Sequence, residues 1–382
     1  MSSSPARLRL ALAAIGVCAI TLASCSGAPS SAPSGGATGS PECVSAARSF
    51  MAGYASPPTT LPPDFTPLSK APKTGGKVIK IFNAQIPNDV LGFEATKGAA
   101  EAVGWTAEGI SFNGTPPDFA EKFDQAIAAR PDVIMAAGRE PETFDKQIAA
   151  AKAAGILVEI NSTVSPPREV PGFGAGALNV KPQQLNGEIA AQWAMADSGC
   201  TADVLIVNLA GFPILKVTTD RMQELFKSQC PSCRVTYSEI QPKDIGTTQG
   251  TGSIIGALQS SPTTKYLYLN NSGLNKGLAT AIKQANLSGV KIFGVGPDAG
   301  AIAGLKDGTN SMWSGGSPVV LAWSAFDSAL RALDTGKPVD QPQVAGVSVF
   351  TKDNTASITS TPDYPTNYQQ LFRTVWRVPG AA

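Results

Sequence analysis

The 382-residue chain contains no histidine. That absence removes Ser-His-Asp and Cys-His catalysis, imidazole metal sites and the usual near-neutral general base together. Charge bias is missing too: 30 Lys plus Arg against 29 Asp plus Glu leave a net charge of +1, with no basic block to serve as a nucleic-acid footprint. Nucleic acid is therefore not expected as a partner. No uninterrupted apolar stretch after Cys25 is long enough for a membrane span. The Gly-rich stretch from Gly246 to Gly256 lacks a GxxxxGK core, and Gly294-x-Gly296 lacks the third glycine of a dinucleotide loop. Among Asp118, Glu140 and Asp298 no paired spacing singles out an acid and a base. Neither cofactor nor metal is implied, and the chain is not expected to be an enzyme.

The N-terminus carries a positive signal. Arg7 and Arg9 precede an uncharged run from Leu10 to Leu22, the pattern of a secretory signal and too short to span a bilayer. The run ends in Leu22-Ala23-Ser24-Cys25, which resembles the lipobox of bacterial lipoproteins. The resemblance implies a signal peptide over 1–24, acylation of Cys25 with palmitate-type chains, and anchoring on the extracytoplasmic face of the cell membrane. An ordinary signal peptide cut near Ala23 is the alternative. Two or three acyl chains hold a protein stably where one holds it reversibly. Cys18 falls in the signal, which leaves Cys43, Cys200, Cys230 and Cys233 in an oxidising compartment. Cys230-Pro-Ser-Cys233 closes a helix and opens a strand, unlike a redox motif. A local disulfide between Cys230 and Cys233 is expected, with pairing of one of them to Cys200 as the alternative.

Ser, Gly, Ala and Pro from Ser26 to Pro41 form a tether that cannot bury enough surface to fold. A short amphipathic helix from Glu42 to Tyr54 and a Pro-rich extended stretch through Pro72 complete the lead-in, 25–74. From Gly75 onward, apolar β-branched runs alternate with helical patterns. Strands are expected at Val78–Ala84, Thr106–Phe112, Asp132–Ala137 and Ile156–Ile160. Helices fall between them at Gly92–Val103, from Asp118 as cap, and at Glu142–Ala154. The pattern then restarts: strands Asp203–Leu209, Arg234–Ile240, Tyr266–Asn270 and Val290–Val295 alternate with helices Gln183–Ala196, Thr218–Ser228, Gly252–Gln259 and Lys276–Ala285. Strands apolar on both faces belong to parallel sheets covered on both sides. The fold class is α/β: two doubly wound parallel-sheet, Rossmann-like lobes with a shared crevice.

Particular segments carry a family resemblance over roughly Gly75 to Phe350. Strand Val78-Ile79-Lys80-Ile81 is followed by Pro87 and the helix Gly92 to Ala102; Arg130-Pro131-Asp132-Val133-Ile134 and Ala154-Gly155-Ile156-Leu157-Val158 follow in order. In the second half come Lys265 to Asn271 with Gly277-Leu278-Ala279, then Val290 to Val295 and Ala301 to Gly308. In this order they resemble a type I periplasmic binding protein of the ribose and galactose group. The resemblance implies three hinge crossings, near Asn179–Val180, Gly316–Ser317 and Ala345–Gly346. It gives lobe 1 as 75–179 plus 317–345 and lobe 2 as 180–316 plus 346–382. It further implies a monomeric receptor that captures a small-molecule solute, sugar or sugar-like, for an ABC permease. A ligand sensor for a membrane signalling receptor, and a receptor for a small aromatic or oxygenated non-sugar compound, are the alternatives.

Ligands of open α/β sheets lie beyond the carboxyl ends of strands. Candidates there are Asn83, Gln85, Asn88 and Phe93 after the first strand, Arg139 and Glu140 after the third, and Asn161 and Ser162 after the fourth. The sugar binders resembling this chain often carry an acidic residue and an arginine where Asn161 and Ser162 stand. In the second half, Asn271 matches the family's cleft asparagine. Phe212, Lys216 and Arg221 could pair an aromatic face with cations, Asp298 stands shifted from the family's aspartate, and Trp313 could stack on a ligand.

Overall fold

Proline opens five of the longer helices. Pro41, Pro87, Pro116, Pro213 and Pro318 occupy first turns, where the ring supplies a helical φ and the missing N–H has no partner to lose. The computed structural model describes residues 39–61, 65–177, 180–341 and 346–380. The signal peptide, Cys25, most of the tether, and the hinge positions Asn179 and Ala345 lie outside the described residues.

Helix α1 (Pro41–Ala52) precedes the first lobe. Lobe 1 runs β1 (Lys77–Asn83), α2 (Pro87–Ala102), β2 (Thr106–Phe112), α3 (Pro116–Ala128), β3 (Val133–Ala137), α4 (Asp145–Ala153), β4 (Leu157–Asn161) and β5 (Ala175–Ala177). Lobe 2 runs α5 (Val180–Ser198), β6 (Asp203–Leu209), α6 (Pro213–Gln229), β7 (Arg234–Ile240), α7 (Thr248–Ser260), β8 (Tyr266–Leu269), α8 (Leu278–Gln284), β9 (Lys291–Val295), α9 (Ala299–Asp307) and β10 (Asn310–Gly315). Then come α10 (Pro318–Thr335), β11 (Val339–Gln341), β12 (Ser348–Phe350) and α11 (Tyr368–Val375).

Two six-stranded sheets result, ordered β11-β5-β4-β3-β1-β2 and β12-β10-β9-β8-β6-β7. Every pairing is parallel except β10 with β12. Apolar clusters cover both faces of each sheet, which is why the strands read as continuous apolar runs. Among the described residues no helix is long and apolar enough to cross a membrane.

The chain crosses between sheets after β5, after β10 and after β11, and then once more. The expectation that 346–382 stays in lobe 2 is corrected there. Only β12 joins that lobe; α11 returns to lobe 1, where Phe372 and Trp376 pack on Trp323 and Phe326. The amphipathic pattern of α11 needs an apolar partner, and Asp327 accepts the Trp376 indole N–H at 2.8 Å.

The lead-in also touches both lobes. Ala47 of α1 is buried against lobe 2, and Cys43 is disulfide-bonded to Cys200 across 157 residues. Phe65 and Leu68 join the lobe 1 core, and Arg331 holds the Thr66 carbonyl at 2.6 Å. Cys230 and Cys233 form the local disulfide. The sulfurs of Cys43, Cys200 and Cys230 lie within 4.8 Å of one another, yet all are disulfide-bonded and offer no thiolate to a metal. Because the Cys43–Cys200 bond closes a long loop, the Cys43→Ser, Cys200→Ser double variant is expected to lose about 2–5 kcal/mol of stability. Chemical denaturation reads this directly; an unchanged midpoint contradicts it.

Candidate functional site

The site is assembled by the first turns of helices that follow strands. Pro87 starts α2 only four residues after β1, and the Asp89 carboxylate accepts the Asn83 backbone N–H at 2.6 Å, fastening helix start to strand end. Asp118 does the same for α3 by accepting from Asn113 at 2.6 Å. The expected cap role of Asp118 is thereby corrected: the helix starts at Pro116, with Thr115 in the cap position.

These starts place lobe 1 against lobe 2. Ile86 packs in the apolar cluster that holds Leu209 and Leu274. Asn88 donates to the Gly296 carbonyl at 2.8 Å and reaches Ser272 Oγ at 3.4 Å. The Arg139 guanidinium lies 4.5 Å from the centre of the Phe212 ring and 4.9 Å from that of Phe112. Gly138, at φ +66°, has no room for a side chain, since a Cβ there would sit 2.7 Å from Phe212. The lobes are therefore closed on each other.

Between them lies a cavity of about 220 Å³. Side-chain amides and hydroxyls from both lobes line it: Asn88, Asn161, Ser162 and Ser317 on one side, Gln183, Asn186, Asn270 and Asn271 on the other. Aliphatic and aromatic groups supply the larger part of the lining, notably Ile86, Phe212, Leu215, Val295 and Leu321. Several amides are committed to the scaffold. Gln183 accepts from Thr218 at 2.8 Å, Asn270 accepts the Leu209 N–H at 2.9 Å and donates to Asn208, and Asn271 Oδ1 accepts the Gly273 N–H at 2.9 Å. Asn88 Oδ1 and Asn186 Oδ1 are buried with no partner among the described residues. Buried unpaired acceptors are costly, so they mark where a ligand donor fits. Ser162 holds φ +61° at the cavity edge, an uncommon conformation for a residue with a side chain.

Of the sequence candidates, Asn88, Asn161, Ser162, Phe212 and Asn271 line the cavity. The others have different employment. Asn83 closes a turn by accepting from Gln85 at 2.9 Å. Gln85 and Asp298 line a separate groove at the rim, and Asp298 caps α9 by accepting from Ala301 at 2.8 Å. Phe93 stacks on Phe82 at 4.9 Å. Arg139 stands behind Phe212, and burial lowers its pKa to about 10, with Asp89 opposing, so it stays charged. Glu140 accepts the Val164 N–H at 3.2 Å, and burial pushes its carboxyl up. Lys216 pairs with Asp220, and Arg221 pairs with Glu188 and Glu224. Trp313 is fully buried in the lobe 2 core against Gly294.

Sequence reasoning missed Lys80, Asp89, Gln183, Asn186, Asn270 and Ser317. Asp89 was concealed by a helix start placed five residues late, and Pro87 was the available signal. Gln183 and Asn186 sit one turn into α5, directly past a hinge. Lys80 lies inside a strand rather than beyond its end.

Residues 90–338 match the family described as "Periplasmic binding protein domain". No curated protein matches the chain by sequence. Among solved structures, an ABC transporter solute-binding protein from Mycobacterium smegmatis with bound glycerol is 20% identical at a TM-score of 0.64, covering 76% of this chain and 100% of that one. One from Burkholderia graminis in complex with D-arabinose is 18% identical at a TM-score of 0.64, covering 76% and 100%. A glucose-galactose binding protein from Geobacillus stearothermophilus is 17% identical at 0.63, covering 74% and 99%.

Proposed function

The chain belongs to the periplasmic binding protein domain family, and from that premise we propose that it captures a small polar solute, a sugar or sugar-like polyol, between its lobes and delivers it to an ABC importer. The observation that carries this reading is the cavity of about 220 Å³ between the lobes, where amides and hydroxyls from both lobes are interspersed with apolar side chains and one pair of opposite charges, Lys80 and Asp89. A ligand gripped from both sides binds the closed form better than the open one, so binding itself shifts the population toward closure. The closed form is then the shape a permease distinguishes.

Neutral amides both donate and accept, as hydroxyls do, and the two charged lining residues, Lys80 and Asp89, are of opposite sign, so the lining carries no net counter-charge for an ionic solute. The aliphatic share of the lining favours a solute with an apolar edge beside its hydroxyls. Solved relatives with bound D-arabinose and glycerol support the same class. The lipobox-like Leu22 to Cys25 supports a receptor tethered by acyl chains on the outer face of the membrane, acting as a monomer so that both lobes can close.

The test is a thermal-shift screen of the purified protein against pentoses, hexoses, glycerol, amino acids and aromatic acids. A cognate polyol at a hundred times its dissociation constant adds about 2.7 kcal/mol and raises the melting temperature. Asn88→Ala, which removes both the unpaired acceptor and the bridge to Gly296, is expected to weaken that ligand by about tenfold or more. A response confined to amino acids or aromatic acids would overturn the polyol class.

A further inference from the structure

One group of charges belongs to neither the strand ends nor the surface. Lys80 sits in the middle of β1 and is 3% exposed. In register it pairs with Met135, which pairs with Glu159, so Lys80 and the fully buried Glu159 share one face of the lobe 1 sheet. That is the face covered by α2 and α10. The Lys80 ammonium makes one long hydrogen bond, to Thr96 Oγ1 at 3.5 Å. Thr96 donates its own proton to the Gly92 carbonyl at 2.7 Å, which orients it as the acceptor. No carboxylate among the described residues comes within ion-pair distance of the ammonium, although Asp89 and Glu159 both act on it electrostatically. Lys80 and Asp89 nevertheless both line the cavity.

Gly92 explains how the cavity reaches so deep. It lies inside α2, where glycine weakens a helix, and a Cβ there would stand 3.1 Å from Lys80 Nζ. Without a side chain at Gly92 the Lys80 ammonium is left uncovered on that side, and Lys80, Asp89 and Gly92 together line the cavity. Asp89 uses Oδ2 on the Asn83 N–H, and its other oxygen makes no hydrogen bond among the described residues.

We propose that Lys80 and Asp89, beneath Gly92, form a polar floor that takes one hydroxyl of a neutral polyol. A hydroxyl accepts from the ammonium and donates to the carboxylate at once, satisfying both charges with one small group. A ligand carboxylate that reaches Lys80 also meets Asp89, and a ligand ammonium that reaches Asp89 also meets Lys80, so neither finds a counter-charge free of a like charge. The floor therefore selects neutral polyols over the corresponding acids and amines. This rests on the polyol-receptor reading and adds the group that discriminates by charge.

The experiment is isothermal titration of the full protein with D-ribose, D-arabinose, D-galactose and glycerol, each sugar alongside its aldonate and 2-amino counterpart. Two variants accompany the wild type: Gly92→Ala, and the double Lys80→Met, Glu159→Gln. Gly92→Ala gains helix propensity while its Cβ crowds Lys80 Nζ at 3.1 Å, so its ligand-free melting temperature is measured beside its affinity, and a near-wild-type value separates lost binding from lost folding. The expected result is binding of a neutral polyol, no measurable binding of its acid or amine, and a loss of about 10- to 100-fold in each variant, the size of a hydrogen bond to a charged group. Neutral binding that survives unchanged in both variants overturns the floor while leaving the receptor reading intact, as does a charged counterpart that binds as well as the neutral one. Silence from the whole panel overturns both.

Discussion

A Lys80→Met variant is expected to unfold with about 3–5 kcal/mol less free energy than wild type at neutral pH, because it leaves buried acid without its counter-charge. Glu159 is fully buried with both carboxylate oxygens unpartnered. Burial raises its pKa well above 4.5, with the Lys80 ammonium opposing. Burial likewise pushes Asp89 up, with Lys80, the Asn83 N–H and Arg139 opposing. Removing the ammonium removes the main brake on both groups.

The sign of the pH dependence follows. A carboxyl whose folded pKa lies above its unfolded value stabilises most when protonated in both states, below about 4.5, and loses that contribution as pH rises through the folded pKa. The Lys80→Met deficit should therefore be smallest at the acid end of the range in which the protein stays folded and grow as pH rises. Adding Glu159→Gln should recover part of the stability and make the profile shallower, the remaining slope belonging to Asp89. Urea titrations of the three proteins at several pH values decide this; a deficit independent of pH, or one that Glu159→Gln leaves untouched, would show that Lys80 acts through packing alone.

The second large effect concerns closure. Gly138→Val places a β-branched side chain at φ +66° and within 2.7 Å of the Phe212 ring. The backbone strain exists in the open and closed forms alike and lowers stability. The clash with Phe212 exists only when the lobes meet, so it penalises the closed form selectively. If that clash costs about 3 kcal/mol, the affinity for the cognate solute falls by about 100-fold, since each 1.4 kcal/mol is a factor of ten. Calorimetry with Gly138→Val, Phe212→Ala and the double variant separates the two contributions. The account expects the double to bind more tightly than Gly138→Val. Additive losses would mean that Phe212 does not meet Gly138 in the closed state.

The parallel strands were legible because burial on both faces writes them as apolar runs, as in Val204 to Val207 of β6. Helix starts were less so. The periodic apolar pattern of α2 and α6 begins a turn or more after Pro87 and Pro213, and reading from the pattern alone removed from view the turns that carry Asn88, Asp89, Ile214 and Leu215 into the cavity. β5, β11 and β12 are three residues each, too short to show any period. The Cys43–Cys200 bond joins positions 157 residues apart, a pairing that spacing cannot express.

In the site, the strand-end rule found Asn161 and Asn271 because both sit at or just past the carboxyl end of a buried strand. The same rule overreached at Arg139, which instead stacks among Phe112, Phe119 and Phe212. It also passed over Lys80, since a mid-strand lysine reads as solvent-facing until a buried carboxylate two strands away is placed on the same face.

The most direct test of capture between the lobes is a crystal structure of the protein with the polyol that gives the largest thermal shift. Density is expected within the cavity, with a hydroxyl on the Lys80 and Asp89 floor, donors facing Asn88 Oδ1 and Asn186 Oδ1, and Asn271 at hydrogen-bond distance. Density confined to the rim groove beside Gln85 and Asp298, with the central cavity filled only by water, would contradict it.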